Sequence, residues 1–70
     1  MKDMKLSFDK QDVADYGKIA NVGVQAWVDG EEGDELKWKE VTFQYEDETE
    51  LADKLSEAMK ELNKEIESWL

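Results

Sequence analysis

Apolar residues recur at every second position along the middle of the chain. From Ile19 to Val28 one face of an extended segment carries only apolar side chains, namely Ala20, Val22, Val24, Ala26 and Val28. A period of two residues is typical of a half-buried strand. A return strand is predicted from Leu36 to Tyr45, and the acidic, Gly-punctuated segment DGEEGDE between the two runs indicates a hairpin turn.

The last third of the chain has a helical period instead. Its apolar residues recur at spacings of three and four and would form one stripe on a helix, comprising Leu51, Leu55, Ala58, Met59, Leu62, Ile66 and Trp69. Asp47 precedes the stripe as an N-cap, and Glu50 follows three residues later in an arrangement like a capping box. Because such a helix is marginal alone in water, we expect it to lie across an apolar sheet face.

The first 17 residues predict a strand followed by a short helix. Met4 to Phe8 has the pattern of a short strand, Asp9 that of an N-cap, and Gly17 that of a helix C-terminal stop. The short helix would carry Val13, Ala14 and Tyr16 on one side. The predicted class is therefore α+β: one domain, residues 1–70, with a small antiparallel sheet in the order β-α-β-β-α and the long C-terminal amphipathic helix packed on one face.

The return strand presents a conflict of parity. Leu36 and Trp38 share one face, whereas Val41, Phe43 and Tyr45 share the other, so a straight strand cannot direct both sets into one core. One solution is a β-bulge near Lys39 or Glu40. The other is a sheet with apolar residues on both faces, the second of them covered by another copy of the protein.

The net charge limits the partners that this chain can bind. Nineteen acidic residues face nine lysines and no arginine, which leaves a net charge of −10 on 70 residues. Such a protein is repelled by nucleic acid and by anionic membranes and is steered toward basic surfaces, more weakly as salt increases. The charged N-terminus MKDMKLSF lacks the apolar run of a signal peptide, so a cytoplasmic location is expected.

The residue types argue against catalysis and against bound cofactors. The chain has neither Cys nor His, which excludes thiolate and imidazole metal ligands and leaves its Ser and Thr hydroxyls without an imidazole to activate them. No glycine-rich phosphate loop is present, and the acidic turn does not have the spacing of an EF-hand. We therefore expect a binding protein that is not an enzyme and holds no cofactor.

Two groups of acidic residues are candidates for partner binding. The hairpin tip carries the first group, Asp29, Glu31, Glu32, Asp34 and Glu35. The second group recurs at intervals of four along the last helix, as Asp53, Glu57, Glu61 and Glu65. Four helical residues rise about 6 Å, similar to the spacing of phosphates along a nucleic-acid strand. Both groups can also be read as ordinary solvated surface, which is the common role of charged helix faces and turns.

Tryptophan supplies the remaining candidates. Trp69 lies on the helix stripe and is expected in the core, whereas Trp27, Leu36 and Trp38 flank the acidic hairpin. Trp is over-represented among the residues that dominate interfaces. These three residues are therefore candidates for self-association, and a homodimer remains open.

In its overall profile the chain resembles the small acidic proteins with which bacteriophages disable host machinery. The profile consists of small size, strong acidity, absence of Cys and His, and a sheet with helical cover, and it extends over the whole chain without a shared motif. It is most similar to the phage inhibitors of the bacterial nucleoid protein HU; anti-CRISPR proteins and inhibitors of uracil-DNA glycosylase share it. The resemblance implies an acidic DNA mimic that inhibits a basic DNA-binding host protein.

Two other interpretations remain. The chain could be a structural or assembly protein that self-associates through its hairpin, with the acidic residues serving only solubility. An artificial origin would also suit the absence of Cys, His and Pro, but Asn21, Gly23 and Gln25 within a strand are irregularities that an idealised design avoids.

Overall fold

Three long strands and one helix make up the protein. The computed structural model describes residues 1–70, with β1 at Lys2–Val13, β2 at Gly17–Gly30, β3 at Gly33–Tyr45 and α1 at Glu48–Trp69. The strands form an antiparallel meander in the order β1-β2-β3. The α+β class is confirmed. The predicted order β-α-β-β-α is wrong, because no helix separates the first two strands.

The residues predicted as a short helix belong to β1 and to the turn after it. β1 continues through Asp9 to Val13 and pairs with β2 without interruption from Lys5 onward. Residues 14–16 form the turn, and Gly17, with φ 79°, opens β2 instead of ending a helix. The capping signal at Asp9 is local, and the continuous ladder of backbone hydrogen bonds to β2 outweighs it.

The hairpin of β2 and β3 has the predicted faces and an unbroken register. Gly30 pairs with Gly33 across a two-residue turn, and pairing continues one for one to Lys18 and Tyr45. Of the two alternatives, the bulge near Lys39 or Glu40 is therefore absent, and the sheet carries apolar residues on both faces. The only register shift lies in β1, between Lys2 and Lys5.

The core lies between α1 and one face of β2 and β3. Ala58 and Leu62 pack against Val22 and Val24; Trp69, expected in the core, lies partly buried at the margin of this cluster. At the other end of the helix Leu51 packs against Ala20 and Tyr45, so α1 runs antiparallel to β3. Met59, predicted on the stripe, is instead 40% exposed at its edge.

The start of α1 is capped as predicted. The Asp47 side chain accepts a hydrogen bond from the Glu50 N–H through Oδ1 at 2.8 Å. The Glu50 carboxylate does not complete a capping box, because it pairs with Lys54 at 2.8 Å. The cap satisfies one of the backbone N–H groups of the first helical turn, which have no partner within the helix.

The molecule is long and thin for its mass. Its extents are 45 × 21 × 14 Å, and its radius of gyration of 14.4 Å exceeds the value of about 11 Å expected for a compact chain of this length. Its accessible surface is 5321 Å², compared with about 4,500 Å² expected for a monomer of 8.1 kDa. Much apolar surface therefore remains outside the core.

Candidate interaction surfaces

The side of the sheet opposite α1, here called the open face, carries an apolar patch. Trp27 and Leu36 pair across the ladder, and Trp38 lies two residues further along β3 on the same face. Their exposed fractions are 40%, 43% and 64%. No element of the chain covers these side chains, which we call the aromatic patch.

The open face also has a depression beside this patch. It measures about 300 Å³ and is bordered by Trp38, Glu40 and Ser7 around Gly23. A Cβ atom at position 23 would lie 3.1 Å from Ser7 Oγ and 3.2 Å from Glu40 Cγ, so the absence of a side chain creates the space. The sequence alone marks Gly23 only as an irregularity in a strand, because it does not identify the cross-strand neighbours.

The five acidic residues of the hairpin, here called the acidic tip, lie together at one end of the molecule. All are exposed. Two of them have lysine partners: Asp34 pairs with Lys2 at 2.9 Å and Glu35 lies 3.9 Å from Lys37. The hydrogen bond and charge of Asp34 raise the pKa of the Lys2 ammonium above its ordinary value. The tip still presents an excess of negative charge to solvent.

The four acidic residues at four-residue spacing on α1, here called the acidic row, wind around the helix. Each step of four residues advances the side chain by about 40°. Asp53, Glu57 and Glu61 are exposed, whereas Glu65 is half-buried. Only Glu57 has a lysine partner, Lys60 at 3.4 Å.

A contact of Lys54 shows which flank of α1 faces the free edge of β3. Lys54 Nζ donates to the backbone carbonyl of Gln44. Glu57 and Glu61 follow Lys54 by three and seven residues and so share its flank, on the β3 side. The opposite flank, toward β1, has one charged residue, Lys60, among the side chains that line a shallow groove: Ala52, Leu55, Ser56, Met59 and Asn63.

The structure thus separates charge across the sheet. Glu57 and Glu61 of the acidic row lie toward β3, and α1 runs from Tyr45 back toward the end that carries the acidic tip. The opposite, β1 side is close to balanced: on the helix Lys60 is accompanied by Glu67, which accepts a hydrogen bond from Asn63 at 3.4 Å, and on the strand three lysines accompany three aspartates. The order of charges along the chain does not reveal this separation, because it depends on which flank of α1 faces which strand.

Neither metal binding nor membrane spanning is indicated by the described side chains. No group of three or more acidic residues converges closely enough to hold a metal ion. The single helix lacks the apolar length that crossing a bilayer requires. Comparison with known proteins adds no relative: no family model, curated protein or solved structure matches the chain.

Proposed function

We propose that the protein binds a basic DNA-binding protein, such as a nucleoid-associated protein, and blocks its DNA site by presenting carboxylates in place of phosphates. The observation that carries this proposal is the gathering of exposed acidic side chains, most of them without a lysine partner, on the tip and on the β3 side of α1. In this role the protein acts in the cytoplasm of the cell that contains its target, without catalysis and without a cofactor.

Charge complementarity speeds association more than it strengthens the complex, so a mimic also needs contacts that hold it in place. The aromatic patch borders the acidic tip and offers Trp27 and Trp38 as anchors. Beside Trp38 the depression at Gly23 is bordered by the Glu40 carboxylate. An arginine or lysine of the partner could place its alkyl stem over the indole and its charge near Glu40.

A second candidate function is assembly of the protein with itself through the hairpin. The exposure of Trp27, Leu36 and Trp38 favours it, because such a patch on a small protein is commonly an interface. The two functions differ in their response to salt. Binding to a basic partner weakens steeply as ionic strength rises, whereas association of apolar patches does not.

The proposal is tested by capture from bacterial lysate with three double variants that change the net charge equally. Glu31→Lys/Glu32→Lys alters the tip and Glu57→Lys/Glu61→Lys alters the row. The matched control, Asp12→Lys/Asp15→Lys, lies at the end of β1 and in the β1–β2 turn, at the end of the sheet away from the acidic tip. The proteins retained at low salt are identified by mass spectrometry and then tested in purified form for DNA binding.

We expect the wild type and the control to retain one basic DNA-binding protein that salt and competing DNA release, and we expect the tip or row variant to lose at least about tenfold in affinity. The purified target should lose its DNA in proportion to the inhibitor added. Equal binding by all four proteins, or a captured protein that still binds DNA, would contradict the proposal. Recovery of the bait alone would favour self-assembly.

A further inference from the structure

The outer strand β1 is the least covered element of the protein. α1 contacts β2 and β3 but does not reach β1. Leu6 and Phe8 point to the helix side of the sheet, because they pair with Val24 and Val22. They nevertheless remain 60% and 49% exposed. The strand thus has two large apolar side chains beside an open edge.

The backbone along that edge is free to bond another strand. In an antiparallel ladder, hydrogen-bonded pairs alternate with non-bonded pairs, and the two-residue turn makes Gly30 and Gly33 a bonded pair. The even-numbered residues of β2 therefore bond to β3, and its odd-numbered residues bond to the odd-numbered residues of β1. This leaves the N–H and C=O groups of Leu6 and Phe8 directed away from the sheet. A regular edge of this kind is a template for strand addition.

The charge distribution favours a second copy of the same strand as the partner at this edge. β1 carries three lysines and three aspartates, so its net charge is zero in a chain of net charge −10. At the acidic tip two copies would bring five acidic residues each into proximity, with no lysine between Asp29 and Glu35. Two copies therefore meet the least repulsion at β1.

We propose that β1 pairs antiparallel with β1 of a second copy, around a two-fold axis at Ser7, and so forms a six-stranded sheet. The segment Lys5–Asp9 is complementary to itself in this register. Lys5 lies opposite Asp9 of the second copy, and Leu6 lies opposite Phe8 of the second copy. The axis repeats both pairs, giving two ion pairs on the open face and two apolar pairs on the helix side.

Neighbouring registers lack this complementarity. The hydrogen-bonding parity of the edge allows shifts of two residues only. One shift places Leu6 opposite itself and the other places Phe8 opposite itself, and both put Ser7 opposite a charged residue in place of the Lys5–Asp9 pairs. The strand is therefore specific for one register.

The pairing also accounts for the shape and charge of the protomer. It covers part of the surface that this thin chain exposes beyond the expected value, and it keeps the acidic, β3 sides of both copies at the outer edges of the sheet. This inference does not depend on the identity of any target. The pairing segment lies away from the acidic tip and the acidic row, although Lys5 and Ser7 also border the depression at Gly23.

Disulfide trapping tests the register directly, because the chain contains no cysteine. In a Ser7→Cys variant the two introduced thiols face each other in a non-bonded pair, where the Cα atoms are about 4.5 Å apart, within the range for a disulfide. Gln11→Cys is the matched control: it is exposed on the same face of β1. In the proposed register its two copies would lie about 27 Å apart.

Under mild oxidation at micromolar concentration we expect Ser7→Cys to form a covalent dimer rapidly and Gln11→Cys to stay largely monomeric on a non-reducing gel. Equal cross-linking of both variants, or none in Ser7→Cys, would overturn the proposed register. Circular dichroism of each reduced variant establishes that it is folded, so that failure to cross-link is not attributable to unfolding.

A charge swap tests the same pairs without a covalent bond. Lys5→Glu and Asp9→Lys each place like charges opposite one another twice, and each should raise the dimer dissociation constant at least about tenfold in sedimentation equilibrium. The double variant Lys5→Glu/Asp9→Lys restores opposite charges and should recover the wild-type constant. Lys64→Glu, on the exposed surface of α1, makes the same charge change away from β1 and should have no effect.

Three outcomes would count against β1 pairing: a wild-type protein that is monomeric at all concentrations tested, single variants that dimerise normally, and a double variant that does not recover. A dimer that Trp38→Ala dissociates and Lys5→Glu leaves intact would place the interface at the aromatic patch.

Discussion

Three residues with positive φ shape the ends of the sheet: Asp3 at 52°, Gly17 at 79° and Gly33 at 124°. Asp3 lies in the bulged part of β1, in the left-handed region that Asp tolerates better than most residues. Gly17 and Gly33 begin β2 and β3 immediately after their turns. The backbone at Gly33 adopts a conformation that is nearly restricted to glycine, so this residue determines the geometry of the acidic tip.

Substitution of Gly33 should therefore destabilise the protein, although a side chain at this position would have open space around it. No atom lies within 4 Å of a Cβ at position 33, so the cost is one of backbone strain. We expect Gly33→Ala to lower the free energy of unfolding by about 1–3 kcal/mol in urea denaturation. Gly17→Asn, in the left-handed region that Asn adopts, should cost less. A neutral effect of Gly33→Ala would show that the turn relaxes freely.

The ion pair between Lys2 and Asp34 joins the start of β1 to the acidic tip. Because Asp34 raises the pKa of Lys2 in the folded state, the pair stabilises the fold at neutral pH and up to the ordinary lysine pKa of 10.5, and this stabilisation is lost as pH rises through the folded pKa. Asp34→Asn should lower the titration midpoint of the Lys2 Cε resonance in NMR. An unchanged midpoint would mean that the pair does not persist in solution.

At the level of elements, the fold depends on α1, which supplies the cover for β2 and β3. The Asp47 cap and the apolar stripe agree with each other and with the helical propensity of the segment, which contains no Gly or Pro. The strands lack such local agreement, since β1 combines turn-forming and charged residues with only a few apolar ones. We therefore expect the strands to depend on the helix for their stability.

Truncation of a core residue of α1 tests this dependence. Leu62 is 1% exposed at the centre of the main cluster. Leu62→Ala should cost about 2–5 kcal/mol, which is comparable with the total stability of about 4–10 kcal/mol expected for 70 residues. Met59→Ala, at a half-exposed position three residues earlier, should cost far less. Thermal unfolding is followed by far-ultraviolet circular dichroism. Equal decreases in melting temperature for Leu62→Ala and Met59→Ala would contradict this assignment of the core.

At the level of the whole molecule, the protein has an acidic side and a balanced side. The exposed negative charge of the acidic tip and row suits a basic partner. The charge balance and free edge of β1 suit a second copy. A dimer through β1 would carry two acidic sides at opposite edges of one sheet. If both proposals hold, dimerisation should be nearly insensitive to the tip and row variants, because the four substituted residues lie away from the pairing segment Lys5–Asp9.

The salt dependence of target binding follows from the same charge distribution. Raising the salt concentration from about 50 to 500 mM shortens the Debye length from roughly 14 to 4 Å and should weaken capture of the basic partner at least about tenfold. Dimerisation through β1, which combines backbone bonds and apolar pairs with two exposed ion pairs, should change much less. The two responses are measured on one preparation by titration calorimetry and sedimentation.

Local patterns along the sequence determined a large part of this fold. The period of two in β2 and the period of 3.6 in α1 each arise from a single element with one buried face, so they can be read along the chain. The Asp47 cap and the glycine turn are similarly local. For the same reason the exposed state of the tip and most of the row followed from charge and position.

Only the tertiary structure decided the state of residues 9–17 and the roles of the two sheet faces. The cap-like Asp9 and the stop-like Gly17 favour a helix locally, but pairing with β2 satisfies the backbone of the whole segment and makes it a strand. The parity of β3 permitted a bulge or two apolar faces, and the unbroken register selected the second. Pairing between strands and the placement of α1 over β2 and β3 join residues far apart in sequence, and their energies cannot be read from local patterns.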